Sequence, residues 1–170
     1  MRRYRPSWSA VAVLAWVSLG PCSHASARTE VDLELVLAID SSTSVDKQEF
    51  SLQLQGLALA FRDPELLEAI RSGAHRAIAV TLVEWSGASR QRVNIPWRMI
   101  TDSATAEGLA GALESAPRLV DTGATSISEA IRFCILQFGT DEFVGFRRVI
   151  DLSADGENNQ GAPLGQARQA

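Results

Sequence analysis

The run Leu35-Val36-Leu37-Ala38-Ile39 is apolar without interruption and stops abruptly at Asp40. Such a run reads as a strand buried on both faces, which is how the central strand of a parallel sheet reads. The rest of the chain is consistent with helices on both sides of that sheet. Asp46 is placed to cap a helix over residues 47–61, with Phe50, Leu54, Leu57, Leu59 and Phe61 on its apolar side, and Asp63-Pro64 interrupts it. A further helical turn or two follows over 65–71, with Gly73 as a stop. Residues 76–85, rich in β-branched and apolar types, predict a second strand ending at Ser86-Gly87. Residues 91–97 predict a shorter, more polar strand whose Pro96 suits a sheet edge. The gap between these two strands is hairpin-sized, so the third strand runs antiparallel. Ser103 reads as the cap of a helix through Glu114, ended by Pro117. A polar turn over 121–126 leads into another helix to about Phe138, with Ile127, Ala130, Ile131, Cys134, Ile135 and Phe138 on one face. Residues 147–153 form the next strand, and 164–170 begin a last helix. The alternation predicts a doubly wound α/β domain with a mostly parallel sheet and one antiparallel edge strand.

The amino terminus stands apart from this pattern. Arg2, Arg3 and Arg5 precede an apolar stretch over 10–19, and Ala25-Ser26-Ala27 offers a small-x-small cleavage site. Residues 1–27 therefore read as a signal peptide of the general secretory route, leaving a single domain over 28–170 and no stable membrane span after cleavage. Cys22 follows Pro21, which does not suit a lipoprotein signal. Cleavage takes three arginines from 16 basic residues against 20 acidic ones, leaving a net charge of −7. No basic patch remains to bind nucleic acid. Of the two cysteines only Cys134 persists, so no internal disulfide forms, and its helical position predicts a buried thiol.

Functional residues are expected where strands end, because ligands of open α/β sheets bind beyond the strands' carboxyl ends. Asp40, Ser42 and Ser44 present one carboxylate and two hydroxyls there. Such hard oxygen donors suit Mg²⁺ or Mn²⁺. The spacing Asp40-x-Ser42-x-Ser44 resembles the first segment of the metal-ion-dependent adhesion site of von Willebrand factor A-type (VWA) domains. Residues 123–131 resemble the loop and helix start that supply that site's threonine, here Thr125. Leu152-Ser153-Ala154-Asp155-Gly156 resembles the strand end that supplies its second aspartate, here Asp155. The resemblance implies a VWA-like, Rossmann-like sheet. It implies that Ser42 and Ser44 hold Mg²⁺ (or Mn²⁺) directly, Thr125 directly or through water, and Asp40 and Asp155 largely through waters. An open position then takes an Asp or Glu carboxylate from a partner protein, with no chemical step.

The likeness extends to Val83-Glu84-Trp85-Ser86-Gly87, to Val93, Pro96 and Trp97, and to Asp155-Gly156-Glu157-Asn158-Asn159. Together these resemble a signal-bearing bacterial VWA-like family of unknown function across nearly all of 31–170. That resemblance favours the periplasm over the extracellular space. VWA domains continue past the aspartate-glycine loop, so the domain over 28–170 is expected to be incomplete at its carboxyl end. The strand ending at Ser153 is then left with an open edge. Trp85 and Trp97 read as core or edge packing, and Glu84 as a solvated or salt-bridged acid.

Two other readings remain open. A hydrolase could use the Asp40-Ser41-Ser42 region, but the glycine of a Gly-Asp-Ser motif is replaced by Ile39, and the one histidine past residue 27, His75, enters the second strand at its far end. A phosphoaspartyl hydrolase wants a second acid where Ser42 stands. Alternatively, the same residues serve as caps and turns in a metal-free interaction or scaffold module.

Overall fold

The computed structural model describes residues 28–167, and the expected signal peptide and Cys22 lie outside the described residues. The chain runs β1 (Thr29–Asp40), α1 (Lys47–Arg62), α2 (Pro64–Arg71), β2 (Ile78–Trp85), β3 (Gln91–Ile100), α3 (Ser103–Ser115), α4 (Ile127–Gln137), β4 (Phe143–Leu152) and the short α5 (Leu164–Ala167). The four strands form one sheet in the order β3-β2-β1-β4. β1 pairs in parallel with both β2 and β4, and β2 pairs antiparallel with β3. The α/β sheet is thus mostly parallel with one antiparallel edge strand, as the periodicity predicts.

Helices cover both faces, and the alternation along β1 and β2 divides their side chains between them. Leu37, Ile39, Val80 and Leu82 pack with Phe50, Leu54, Ala58 and Phe61 of α1 and Leu109 and Leu113 of α3. Val36, Ala38, Val83 and Trp85 face the other way, onto Ala130 and Cys134 of α4. Every residue of β2 is buried, since it lies inside the sheet and under helices on both sides. Each aliphatic side chain buried in this way contributes roughly 1.5–3 kcal/mol. Trp85 and Trp97 both pack in the core, and the Cys134 thiol is free and buried, with burial pushing it up to about 12.

Element boundaries differ from the sequence reading in instructive ways. β1 begins at Thr29 and β4 at Phe143, because the starts of the two strands pair with each other, Thr29 opposite Phe143 and Val31 opposite Gly145. β3 runs past Pro96 to Ile100, as an edge strand can, with the register shifting between Val80 and Leu82. α3 is capped by Asp102 rather than Ser103. The Asp102 carboxylate accepts from Thr105 N at 2.8 Å, while Thr105 Oγ1 accepts from Asp102 N at 3.1 Å. This is a capping box with threonine in the place usually taken by Glu or Gln. β1, β2 and β4 all end at the same rim, and the loops after them meet there.

Candidate metal centre

Asp40 is the last residue of β1 and 1% exposed. Its Oδ1 accepts from Ser42 N at 2.7 Å, which turns the chain sharply and directs Ser42 along the rim. Ser42 Oγ lies 3.0 Å from Ser44 Oγ, and Ser44 Oγ donates to Asp155 Oδ1 at 3.0 Å. The structure therefore joins Asp40, Ser42, Ser44 and Asp155 in one polar chain, although Asp155 comes from the loop after β4. Thr125, buried just ahead of α4, stands beside that loop: a Cβ on Gly156 would lie 4.0 Å from Thr125 Oγ1.

The electrostatics follow from burial. Loss of solvent pushes the Asp40 carboxyl above its ordinary value of 3.8, the Ser42 backbone and hydroxyl bonds pull it back, and the Asp155 charge raises it again. The two carboxylates thus sense each other across the rim. Asp40 Oδ2 is buried and has no hydrogen-bond partner in the protein. A buried carboxylate oxygen left unpaired is costly unless something else satisfies it. With two carboxylates and three hydroxyls, the donor set has the hardness that Mg²⁺ or Mn²⁺ prefers. Among the described residues no three His, Cys, Asp or Glu side chains gather at one place, at the rim or away from it, so hydroxyls make up most of the donor set there.

The loops bearing these residues are tied together by contacts that leave no pattern in the sequence. Thr43 N donates to Gly123 O at 3.1 Å, and Gly123 N donates to Thr43 Oγ1 at 3.0 Å. Gly123 holds φ +135, and a Cβ there would collide with Ser86 Oγ, so the position needs glycine. Ser126 opens α4 without a side-chain cap of its own. Asparagines from the Asp155 loop supply the missing acceptors: Asn159 Oδ1 takes Thr125 N at 2.9 Å and Asn158 Oδ1 takes Ser128 N at 3.1 Å. The backbone of 159–160 returns two bonds to Thr125 O. Thr125 and Asp155 are therefore positioned by one strap.

Glu84 corrects the sequence reading. It is neither solvated nor salt-bridged but fully buried, and it accepts from Val120 N at 2.7 Å, Leu119 N at 2.9 Å and Asn94 Nδ2 at 3.0 Å. All three donors are neutral, and its work is to hold the loop leading to Thr125. Arg118, in that same loop, reaches back to the backbone of Ser41 and Ser42. Neither role carries a periodic signal, because both depend on which loops the fold brings side by side.

No curated protein matches the chain in sequence. Among solved structures, proximal thread matrix protein 1 from the mussel byssus matches with TM-score 0.60 and 16% identity, in a form with a zinc-occupied MIDAS motif. A second crystal form of the same protein matches with TM-score 0.58 and 16% identity. In both, 84% of this chain is covered, and it spans only 35% of the mussel protein. The vWF domain of the type V pili tip protein Mfa5 from Porphyromonas gingivalis matches with TM-score 0.45 and 16% identity over 74% of this chain and 38% of that one. The likeness to the mussel protein shows a shared fold. Residues 30–170 match the family described as "Protein of unknown function (DUF1194)", and the chain belongs to that family, as a VWA-like domain.

Proposed function

We propose that this rim is a metal-ion-dependent adhesion site in an exported binding domain, which takes up Mg²⁺ or Mn²⁺ and, with it, a carboxylate of a partner protein. The observation that supports this reading is the polar chain from Asp40 through Ser42 and Ser44 to Asp155, with an unpartnered buried oxygen at its head. Ser42, Ser44 and Thr125 would hold the ion through hydroxyls, while Asp40 and Asp155 would balance its charge, largely through water. When bound, the cation supplies a Lewis-acidic position open to a partner's Asp or Glu. The chain's own residues do the rest: the Asn158-Asn159 strap and the Thr43–Gly123 clamp fix the hydroxyls before any ligand arrives. A cation in the MIDAS motif of the mussel protein, on the same fold, is consistent with this use of the rim. Export rests on the signal-like segment over 1–27, and the preference for the periplasm on the resemblance to a signal-bearing bacterial family.

A serine hydrolase fits less well. His75 N donates to the Asp32 carboxylate at 3.0 Å near the start of β1, so the one histidine among the described residues sits at the opposite end of the sheet. The metal-free module has one observation in its favour, since Ser44 and Asp155 bond directly with nothing between them. Calorimetric titration with Mg²⁺ and with Mn²⁺ separates the two. The adhesion reading expects saturable binding that Asp155→Ala weakens at least about tenfold. Absence of heat, together with an unmoved melting temperature in both cations, would leave only the metal-free module.

A further inference from the structure

Arg118 is the most heavily engaged side chain near the rim, and the adhesion site as described so far does not use it. Its Nε donates to Ser41 Oγ at 2.7 Å and to Val120 O at 3.0 Å. Its Nη2 donates to Ser41 O at 3.0 Å and Ser42 O at 3.1 Å. The guanidinium carbon lies 5.4 Å from the centroid of the Phe50 ring, so an aromatic face from α1 supports the fork from below. Every one of these oxygen acceptors is neutral. Among the described residues no carboxylate comes within salt-bridge distance of Arg118.

A half-buried guanidinium without a carboxylate is an expensive way to hold a loop, because a neutral donor would do so without a charge to desolvate. Its placement explains the expense. Ser42 is gripped at both ends, its N–H by Asp40 and its carbonyl by Arg118, which fixes the backbone from which its hydroxyl reaches Ser44. The same fork holds Val120 O, and Glu84 holds Val120 N, so the loop to Thr125 is fixed from two sides. Arg118 thus sets the relative positions of two loops that bear proposed ligands.

We infer that Arg118 is a positioning residue of the adhesion site: its guanidinium fixes the Ser42 backbone against the loop that leads to Thr125. The inference rests on the metal-binding reading above. Mn²⁺ alone is the probe, titrated calorimetrically into the full chain and into two variants. Arg118→Lys keeps the charge but not the fork, and Arg62→Ala removes the Arg62 contacts to Glu107 and Glu114, which join α1 to α3 and include none of the proposed ligands. The expected result is a dissociation constant raised about 10-fold or more in Arg118→Lys. Its melting temperature in EDTA should fall no further than that of Arg62→Ala, whose metal affinity stays at the wild-type value. An Arg118→Lys affinity within twofold of wild type overturns the inference and spares the metal site. Equal loss of affinity in Arg62→Ala overturns it too, by tracing the effect to global stability. No binding in the wild-type chain removes the metal site and the inference together.

Discussion

Asp40 shows how a residue can be costly to the fold and still suited to a site. It is almost wholly buried, near another carboxylate, and only one of its two oxygens has a protein partner. Desolvation disfavours its charge in the protein without a cation. Asp40→Asn keeps an oxygen able to accept from Ser42 N and removes the charge. In EDTA the variant should therefore melt above wild type, on a scale of roughly 2–5 °C per kcal/mol for a domain of this size. On the proposed metal-binding reading it should also lose the rise in melting temperature expected of wild type with Mg²⁺, since the charge proposed to balance the ion is gone. Differential scanning fluorimetry with and without Mg²⁺ reads both halves. A variant less stable than wild type in EDTA would mean that the Asp40 charge supports the fold rather than a cation. This trade of stability for a binding-competent carboxylate is the behaviour expected where a site breaks a local rule.

At the level of elements, the caps make the clearest test. Asp102 is held below the ordinary carboxylate range, first by the Thr105 backbone N–H and then by the Thr105 hydroxyl. A lowered folded value means that its contribution is present above the unfolded value and is lost as pH falls through the folded one. Asp102→Ala should accordingly lower the melting temperature at pH 7, and the gap to wild type should close as the pH drops below about 4. A gap that stays constant from pH 7 to pH 3 would show that the cap works by shape and not by charge. The same helix shows what was legible in the sequence. Its existence and length followed from spacing, but the cap shifted from Ser103 to Asp102 because two adjacent residues were both good caps, and only Thr105 decided between them. β1 and β2 were legible for a different reason, since burial on both faces forces apolar runs. The ends of β1 and β4 were not, because Thr29, Glu30 and Gly145 owe their strand conformation to pairing with each other and to nothing local. Among rim residues, Asp40, Ser42 and Ser44 could be named because they follow a readable strand, and Thr125 and Asp155 because their segments resemble those of VWA domains. Glu84 and Arg118 could not, because their partners lie in a loop far along the chain that only the fold places beside them.

For the molecule as a whole, the sheet order puts the rim and a weak point on the same strand. β4 pairs with β1 on one side, and among the described residues nothing pairs with its other side. The two halves of that free edge differ. The second half carries Arg147, Arg148 and Asp151, charges that discourage edge-to-edge pairing. The first half, Phe143-Val144-Gly145-Phe146, carries no charge, and Phe146 is 88% exposed with Val144 at 41%. An uncharged, apolar half-edge of this kind invites pairing with another chain, and Arg147 beside it limits the register that such pairing can take. The chain spanning 28–170 should therefore self-associate with rising concentration, and Phe146→Lys should return it to the monomer without changing its Mn²⁺ affinity, because residue 146 lies at the opposite end of β4 from Asp155. Sedimentation velocity across a hundredfold range of concentration reads the first effect and calorimetry the second. Association that persists in Phe146→Lys would place the contact elsewhere on the surface. An altered Mn²⁺ affinity would mean that strain at the open edge reaches the rim through β4, and that the sheet transmits what happens at one end to the loops at the other.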